Sequence, residues 1–246
     1  MKILAIDSSG VPASAAIVED GCLLAEYTVH YKKTHSQTLL PMIDEVAKMT
    51  ELDKSALDAV AVAGGPGSFT GLRIGSATAK GIALALKIPI INVPTLEGLA
   101  TNFYGSENLI CPMLDARRSE VFAGIYCYEE DGEGCALKVL TDQTPVSVEK
   151  LCAKLNFLYE QTGKKVILLG DGSVMYRKMI DSILVAPHIY APANMNEQRA
   201  ASVAVRAEEM AAEGKTETAE EHRPIYLRVS QAERVREEKL HAAEKN

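Results

Sequence analysis

No stretch of this 246-residue chain approaches the ~20 consecutive apolar residues of a membrane span. The opening Met1-Lys2-Ile3-Leu4-Ala5-Ile6-Asp7 is too short, and acidic too soon, for a secretory signal. Cysteine is scarce and odd in number. Cys22, Cys111, Cys127, Cys135 and Cys152 sit mostly inside apolar runs, and no two have metal-ligand spacing, so they read as reduced core residues rather than a disulfide frame. These absences imply a cytoplasmic protein off the membrane. Positive charge is also short: the net charge is -7, with 20 Lys/Arg against 29 Asp/Glu in residues 1–221 and 6 against 4 in 222–246. An acidic body argues against gripping nucleic acid unaided. The mildly basic end reads as a solvated terminal helix.

Catalytic equipment is equally thin. His30, His35, His188, His222 and His241 include no pair at i,i+3 or i,i+4 that one helix face could offer to zinc, and there is no Gly-x-Ser-x-Gly elbow. Gly71 is followed by Leu72 where a P-loop needs Lys, and the glycine after Gly65-Pro66-Gly67 falls at 71 rather than 70, which fails the dinucleotide spacing. Anion binding by the helix start at Ser68 to Thr70 stays open. An Asp at the end of the first strand, in Asp7-Ser8-Ser9-Gly10, either faces a phosphate or metal or simply caps its own turn.

What is present, with 47% hydrophobic residues, is a globular α/β pattern. Lys2 to Ile6, Ala13 to Val18 and Cys22 to Val29 form an antiparallel series, and apolar spacing at Leu39, Ile43, Val46 and Ala47 predicts a helix over His35 to Thr50, with Pro41 in its opening turn or bending it. Ala59-Val60-Ala61-Val62-Ala63 is a strand buried on both faces. It feeds a Gly/Pro turn, a helix from Thr70 to Leu86 and a strand from Ile88 to Val93.

The pattern then restarts. Leu109 to Leu114 ends in Asp115, Glu120 to Tyr128 and Cys135 to Leu140 flank a polar turn, a helix capped by Ser147 follows, and Val166 to Leu169 runs into Gly170-Asp171-Gly172-Ser173. Met179 to Tyr190 reads as a helix end and a brief strand. The helix over Glu197 to Glu213 is Ala-rich and is read as returning to the first half. Two lobes of one α/β unit result, 1–105 with the returning helix 197–213, and 106–196. Pro224 to Arg228 is read as an extended terminal segment, and the remainder of 214–246 as a charged tail.

The helix from Thr70 carries small residues every four positions: Gly71, Gly75, Ala79 and Ala83. Each interior glycine costs a helix about 1 kcal/mol relative to Ala, tolerated where another backbone must come close. That backbone is either a second molecule's helix or the chain's own sheet.

Gly64-Gly65-Pro66-Gly67-Ser68-Phe69-Thr70-Gly71-Leu72-Arg73-Ile74-Gly75 resembles the TsaB (YeaZ-like) family, together with Ile6-Asp7-Ser8-Ser9, His35-Ser36 before Leu39-Leu40-Pro41, and Asp115-Ala116-Arg117-Arg118. The match runs over most of residues 1 to 228. The resemblance implies two ribonuclease-H-like lobes of the actin, Hsp70 and sugar-kinase superfamily, and a part in making threonylcarbamoyladenosine in transfer RNAs that read codons beginning with A. It marks Asp7, Ser8, Gly65, Pro66, Gly67, Ser68, Phe69, Thr70 and Arg73 as the family's motif turn, and Asp115, Arg117 and Arg118 as its second-lobe counterpart. Arg73 is read as a cap, an internal ion pair or a partner contact.

The catalytic relative TsaD bears a His-x-x-x-His zinc pair, and Thr95 and Leu99 stand in those places here. By the same resemblance its second-lobe phosphate turn is reduced to Gly170-Asp171-Gly172-Ser173. The expectation is therefore a noncatalytic subunit with no cofactor of its own. ATP and a divalent metal belong on its partners, TsaD and the P-loop ATPase TsaE, and tRNA is met through the complex. Docking is expected on Leu39, Ile43, Val46, Gly71, Ile74, Gly75, Thr78 and Ala79, the same face supporting a homodimer when the partner is absent. The competing expectation is a small-molecule kinase using Asp7 and Asp115 around magnesium nucleotide.

Overall fold

The computed structural model describes residues 1–31, 34–132 and 134–228. Its elements are β1 (Lys2–Asp7), β2 (Ala13–Glu19), β3 (Cys22–Val29), α1 (His35–Met49), β4 (Ala59–Gly65), α2 (Phe69–Leu86), β5 (Ile90–Pro94), α3 (Thr95–Ala100), β6 (Leu109–Arg117), β7 (Glu120–Asp131), β8 (Gly134–Ser147), α4 (Val148–Thr162), β9 (Val166–Leu169), α5 (Asp171–Met175), α6 (Arg177–Ile183), β10 (His188–Tyr190) and α7 (Ala200–Ala212).

The strands form two five-stranded sheets, ordered β3-β2-β1-β4-β5 and β8-β7-β6-β9-β10. In each, the first three strands are antiparallel and the last two run parallel to the first. The same order in both sheets is the duplicated α/β unit expected from the repeat. Strand periodicity sorts each core into two layers. On β1 and β4, Ile3, Ala5, Ala59, Ala61 and Ala63 face Ala200, Val203, Ala204 and Ala207 of α7, while Ile6, Val60 and Val62 face Leu39 of α1 and Ala79 and Ala83 of α2. Alanine meets alanine beneath α7, so that helix sits close to the sheet. In the second lobe Leu109, Cys111, Met113, Val166 and Leu168 pack on Leu151 and Leu155 of α4 and on Ile180 of α6.

The far side of the second sheet is covered from the first lobe. Six residues of α3 send Leu96, Leu99 and Ala100 into a buried cluster with Ile110, Leu114, Tyr126, Tyr128 and Leu169. Behind it Arg206 of α7, itself buried, pairs with Glu97 at 2.8 Å and Glu209 at 2.6 Å. Neither α3 nor this pairing was legible in the sequence, because six residues show no helical period.

Other boundaries differ for local reasons. β8 runs on to Ser147, whose hydroxyl accepts the Lys150 N–H to cap α4. Pro41 lies inside α1 rather than in its opening turn. The five cysteines are free, with Cys22 exposed rather than in the core. Pro224 to Arg228 joins no strand, and Ser230 to Lys245 lies outside the described residues. Among the described residues no helix is long and apolar enough to cross a membrane.

Leu96→Ala should cost about 2–5 kcal/mol of stability, as a fully buried leucine at the joint of both lobes. Urea unfolding of the two proteins measures it, and a loss under 1 kcal/mol would show that α3 does not carry the joint.

Candidate functional site

The two motif turns of the first lobe lock into one another. Ser8 Oγ donates to the Gly71 carbonyl at 2.9 Å, and the Ser68 N–H donates to the Ser9 carbonyl at 2.6 Å. Ser68 Oγ in turn accepts the Gly71 N–H and caps α2. Any side chain on Gly71 would overlap the Ser8 carbonyl, and one on Gly75 would stand 2.5 Å from Ser8 Oγ. Gly67 meets Ser9 in the same way. His35 reaches the Gly10 carbonyl through Nε2 at 2.9 Å, tying the start of α1 to the same loop.

This geometry corrects the expected docking stripe. Gly71, Gly75, Ala79 and Ala83 are buried against the chain's own β1 turn and sheet, and Leu39 and Val46 are buried beneath α1. Their small size serves an intramolecular approach of α2 to the Ser8-Ser9 turn. Ile43 and Ile74 are half-buried and join Ile82 in one cluster, and Thr78 is half-buried too. The solvent side of α2 instead presents Arg73, Ala77, Gly81 and Leu84, with open space around Gly81.

Asp7 is the most perturbed group of the motif. It is 2% exposed, and its Oδ1 accepts from both the Ser9 N–H (2.8 Å) and the Ser9 hydroxyl (2.7 Å). This is the turn cap rather than an open phosphate or metal ligand. Burial raises its pKa to about 6, against the lowering effect of the Ser9 hydrogen bonds and His35.

Its second-lobe counterpart is different. Asp115 is half-buried, accepting from the Arg117 N–H and the Tyr176 hydroxyl at 2.8 Å each, while its own N–H donates to Asp171. Asp171 is pushed up first by burial and further by the neighbouring Asp115, against its hydrogen bonds from backbone N–H groups. Arg117, Arg118 and Ser119 turn the hairpin with φ of 64°, 58° and 59°, and both arginines are exposed. Asp115 and Asp171 line a cleft of about 450 Å³ between the lobes, opposite Ser9, Gly67 and Ser68, but Asp7 does not line it. The two carboxylates of the kinase reading therefore do not face one space.

The remaining positions are engaged structurally. Thr95 is buried, with its hydroxyl accepting the Gly65 N–H at 3.0 Å, and Leu99 lies in the inter-lobe core. In the Gly170-Asp171-Gly172-Ser173 turn, the Gly170 N–H goes to Asn196 and the Ser173 N–H to the Gly170 carbonyl. One hydroxyl already in use and one alkyl group make no divalent-metal site. Among the described residues no group of three or more His, Cys, Asp or Glu is placed to hold a metal.

Sequence reasoning missed Gln143, whose amide donates to the Gly65 carbonyl (2.9 Å) and accepts the Leu96 N–H (3.3 Å). It also missed Tyr226, which meets Phe69 at 4.9 Å between rings and accepts from Arg73 Nε at 3.2 Å. Arg73 additionally lies 3.9 Å over the Phe69 ring. The one available signal was Tyr226 within an extended segment that follows the last helix.

A family model described as "TsaD: tRNA N6-adenosine threonylcarbamoyltransferase" matches residues 23–236. The tRNA threonylcarbamoyladenosine biosynthesis protein TsaB of Bacillus subtilis (strain 168) is 32% identical over 235 residues, 95% of this chain and 96% of that protein. Its namesake in Escherichia coli (strain K12) is 28% identical over 241 residues, covering 93% and 95%. The solved structure of YeaZ from Pseudomonas aeruginosa superposes with a TM-score of 0.75 at 25% identity, covering 92% of this chain and 99% of that one.

Two outcomes test the lock. Asp7→Asn keeps the Ser9 hydrogen bonds but removes a titrating carboxyl. Since the folded pKa lies above the ordinary value of 3.8, the group favours the fold when protonated, and that contribution is lost as pH rises from about 4 to about 6. The variant should equal wild type near pH 4 and exceed it by up to about 3 kcal/mol above pH 7, measured by urea unfolding across pH. A gain that does not change with pH would contradict the assignment. Gly75→Leu should lower stability by about 1–3 kcal/mol, seen as a fall in Tm of the isolated chain. An unchanged Tm would mean that this glycine is not confined.

Proposed function

Because this chain belongs to the TsaB family of tRNA threonylcarbamoyladenosine biosynthesis proteins, we propose that it is the noncatalytic, activating subunit of the assembly that places a threonylcarbamoyl group on N6 of adenosine beside the anticodon. The observation that carries this reading is the state of Thr95 and Leu99: where the resemblance puts the histidine pair of TsaD, one side chain is bonded to the Gly65 N–H and the other fills the inter-lobe core. The chain keeps the two-lobed frame and has put that position to structural use. Chemistry then resides on TsaD, with its metal, and ATP is handled by the partner subunits, TsaE among them. Transfer RNA meets this chain through the assembly, consistent with the net charge of -7.

Docking uses α1 and α2, on a face other than the buried glycine stripe. The half-buried seam of Ile43, Ile74 and Ile82 lies between the two helices, and Leu40 (59% exposed) and Leu84 (53% exposed) stand out on them. Ala77 and Gly81 leave room for a close helix on the solvent side of α2. A helix pair from TsaD laid here makes a four-helix contact, and a second copy of this chain takes its place when TsaD is absent.

Reconstituted tRNA modification by TsaD and TsaE should require this chain, and an equal rate without it would refute the proposal. Leu84→Asp should weaken co-purification with TsaD at least tenfold, equivalent to about 1.4 kcal/mol, while leaving Tm within a few degrees. Undiminished co-purification would move the docking face elsewhere.

A further inference from the structure

The last described residues cross from one lobe to the other. After α7 the chain pairs with the edge of the first sheet, where the Ile90 N–H donates to the Glu217 carbonyl at 2.8 Å and the Glu217 N–H to the Ile90 carbonyl at 2.9 Å. His222 is then fully buried against Glu217, with Nδ1 2.6 Å from Oε1, and Lys80 donates to its carbonyl. Asn92 donates to the Arg223 carbonyl at 3.1 Å, and the Ile225 N–H donates to the Gly64 carbonyl at 2.7 Å. Tyr226 lies on Phe69 and Arg73 of α2.

Two residues later the segment holds the other lobe. Arg228 Nη1 donates to the Ala116 carbonyl at 2.8 Å, Nη2 pairs with Glu120, and the guanidinium lies 5.7 Å from the Phe122 ring centre. Ile225, Tyr226, Leu227 and Arg228 themselves line the cleft that also contains Ser9, Gly67, Asp115 and Asp171.

We propose that 224–228 is a built-in clamp: it lines the inter-lobe cleft and sets the separation of the lobes. The chain already passes between lobes at 101–108 and again at 191–199, and Leu96, Leu99 and Gln143 join the lobes alongside those crossings, so the remaining freedom is a hinge about that joint. A third crossing, anchored to both lobes within four residues, removes that freedom, since a span so short has almost no slack. Its two ends are unequal. The first-lobe end is held by backbone hydrogen bonds, a buried histidine and a ring contact. Among the described residues, the second-lobe end is held through the side chain of Arg228, which is 22% exposed. The clamp therefore releases from the second lobe first, at Glu120, and the cleft widens when it does. The same contact fixes Arg73, so the first turns of α2 and the lobe angle are joined through Tyr226.

The test uses the full chain in solution, with spin labels on exposed Cys22 and on a cysteine introduced at Lys154, in a Cys135→Ser background. Glu120→Arg sets like charges against each other at the second-lobe anchor. It should at least double the width of the inter-lobe distance distribution, and the swap Glu120→Arg with Arg228→Glu should bring the width back towards that of the parent protein. A folded Glu120→Arg protein with the parent width would overturn the clamp, as would a swap as broad as the single change. Should Glu120→Arg fail to fold, Tyr226→Ala provides the same reading through the first-lobe anchor: broadening supports the clamp, and the parent width overturns it.

Discussion

The close approach of α2 to the Ser8-Ser9 turn is the constraint on which the rest of the first lobe depends. Two backbones can come so near only if the helix has no Cβ at the crossing, and Gly71 and Gly75 provide that absence. The contact is then held by polar groups with little latitude: Ser8 on the Gly71 carbonyl, Ser68 on the Ser9 carbonyl, and Asp7 under both Ser9 donors. From that crossing α2 runs down β4 with Ala79 and Ala83 inward, which brings Val60, Val62 and Ile6 into one core. Helix propensity is surrendered at two positions to gain a fixed angle between helix and sheet.

A motif that looks like a ligand loop is thus largely satisfied from within. A helix start offers unpaired N–H groups to an anion, but here the Gly71 N–H goes to Ser68 and the Ser68 N–H to Ser9. In the second lobe, too, donors of the Gly170 turn are taken up by Asn196 and by the turn itself. Polar groups around the cleft hold loops, sheets and the terminal segment in register.

The lobes are joined by apolar and polar means that differ in kind. Leu96 and Leu99 make a dry core in which separation exposes large side chains to water. Gln143 and Arg228 instead reach across to polar groups, the Gly65 carbonyl and Leu96 N–H in the one case and the Ala116 carbonyl and Glu120 in the other. The first is non-directional and carries stability, whereas the second fixes orientation, because a hydrogen bond weakens steeply when misaligned.

The continuous apolar run Ala59 to Ala63, the small-residue spacing from Gly71 to Ala83 and the restart at Leu109 determined the sheet-and-helix units and their duplication, since such patterns are a property of the chain itself. The short α3 escaped because one and a half turns show no period. The direction in which the glycine stripe faces was likewise beyond the sequence: a bare helix face is equally suited to a neighbouring molecule and to the chain's own turn, and only folding brings Ser8 within reach of Gly71. The same holds for Asp7 and Asp115. They stand at equivalent ends of equivalent strands, yet one is sealed beneath Ser9 and the other opens on the cleft, because burial is set by what the rest of the fold places above each carboxylate.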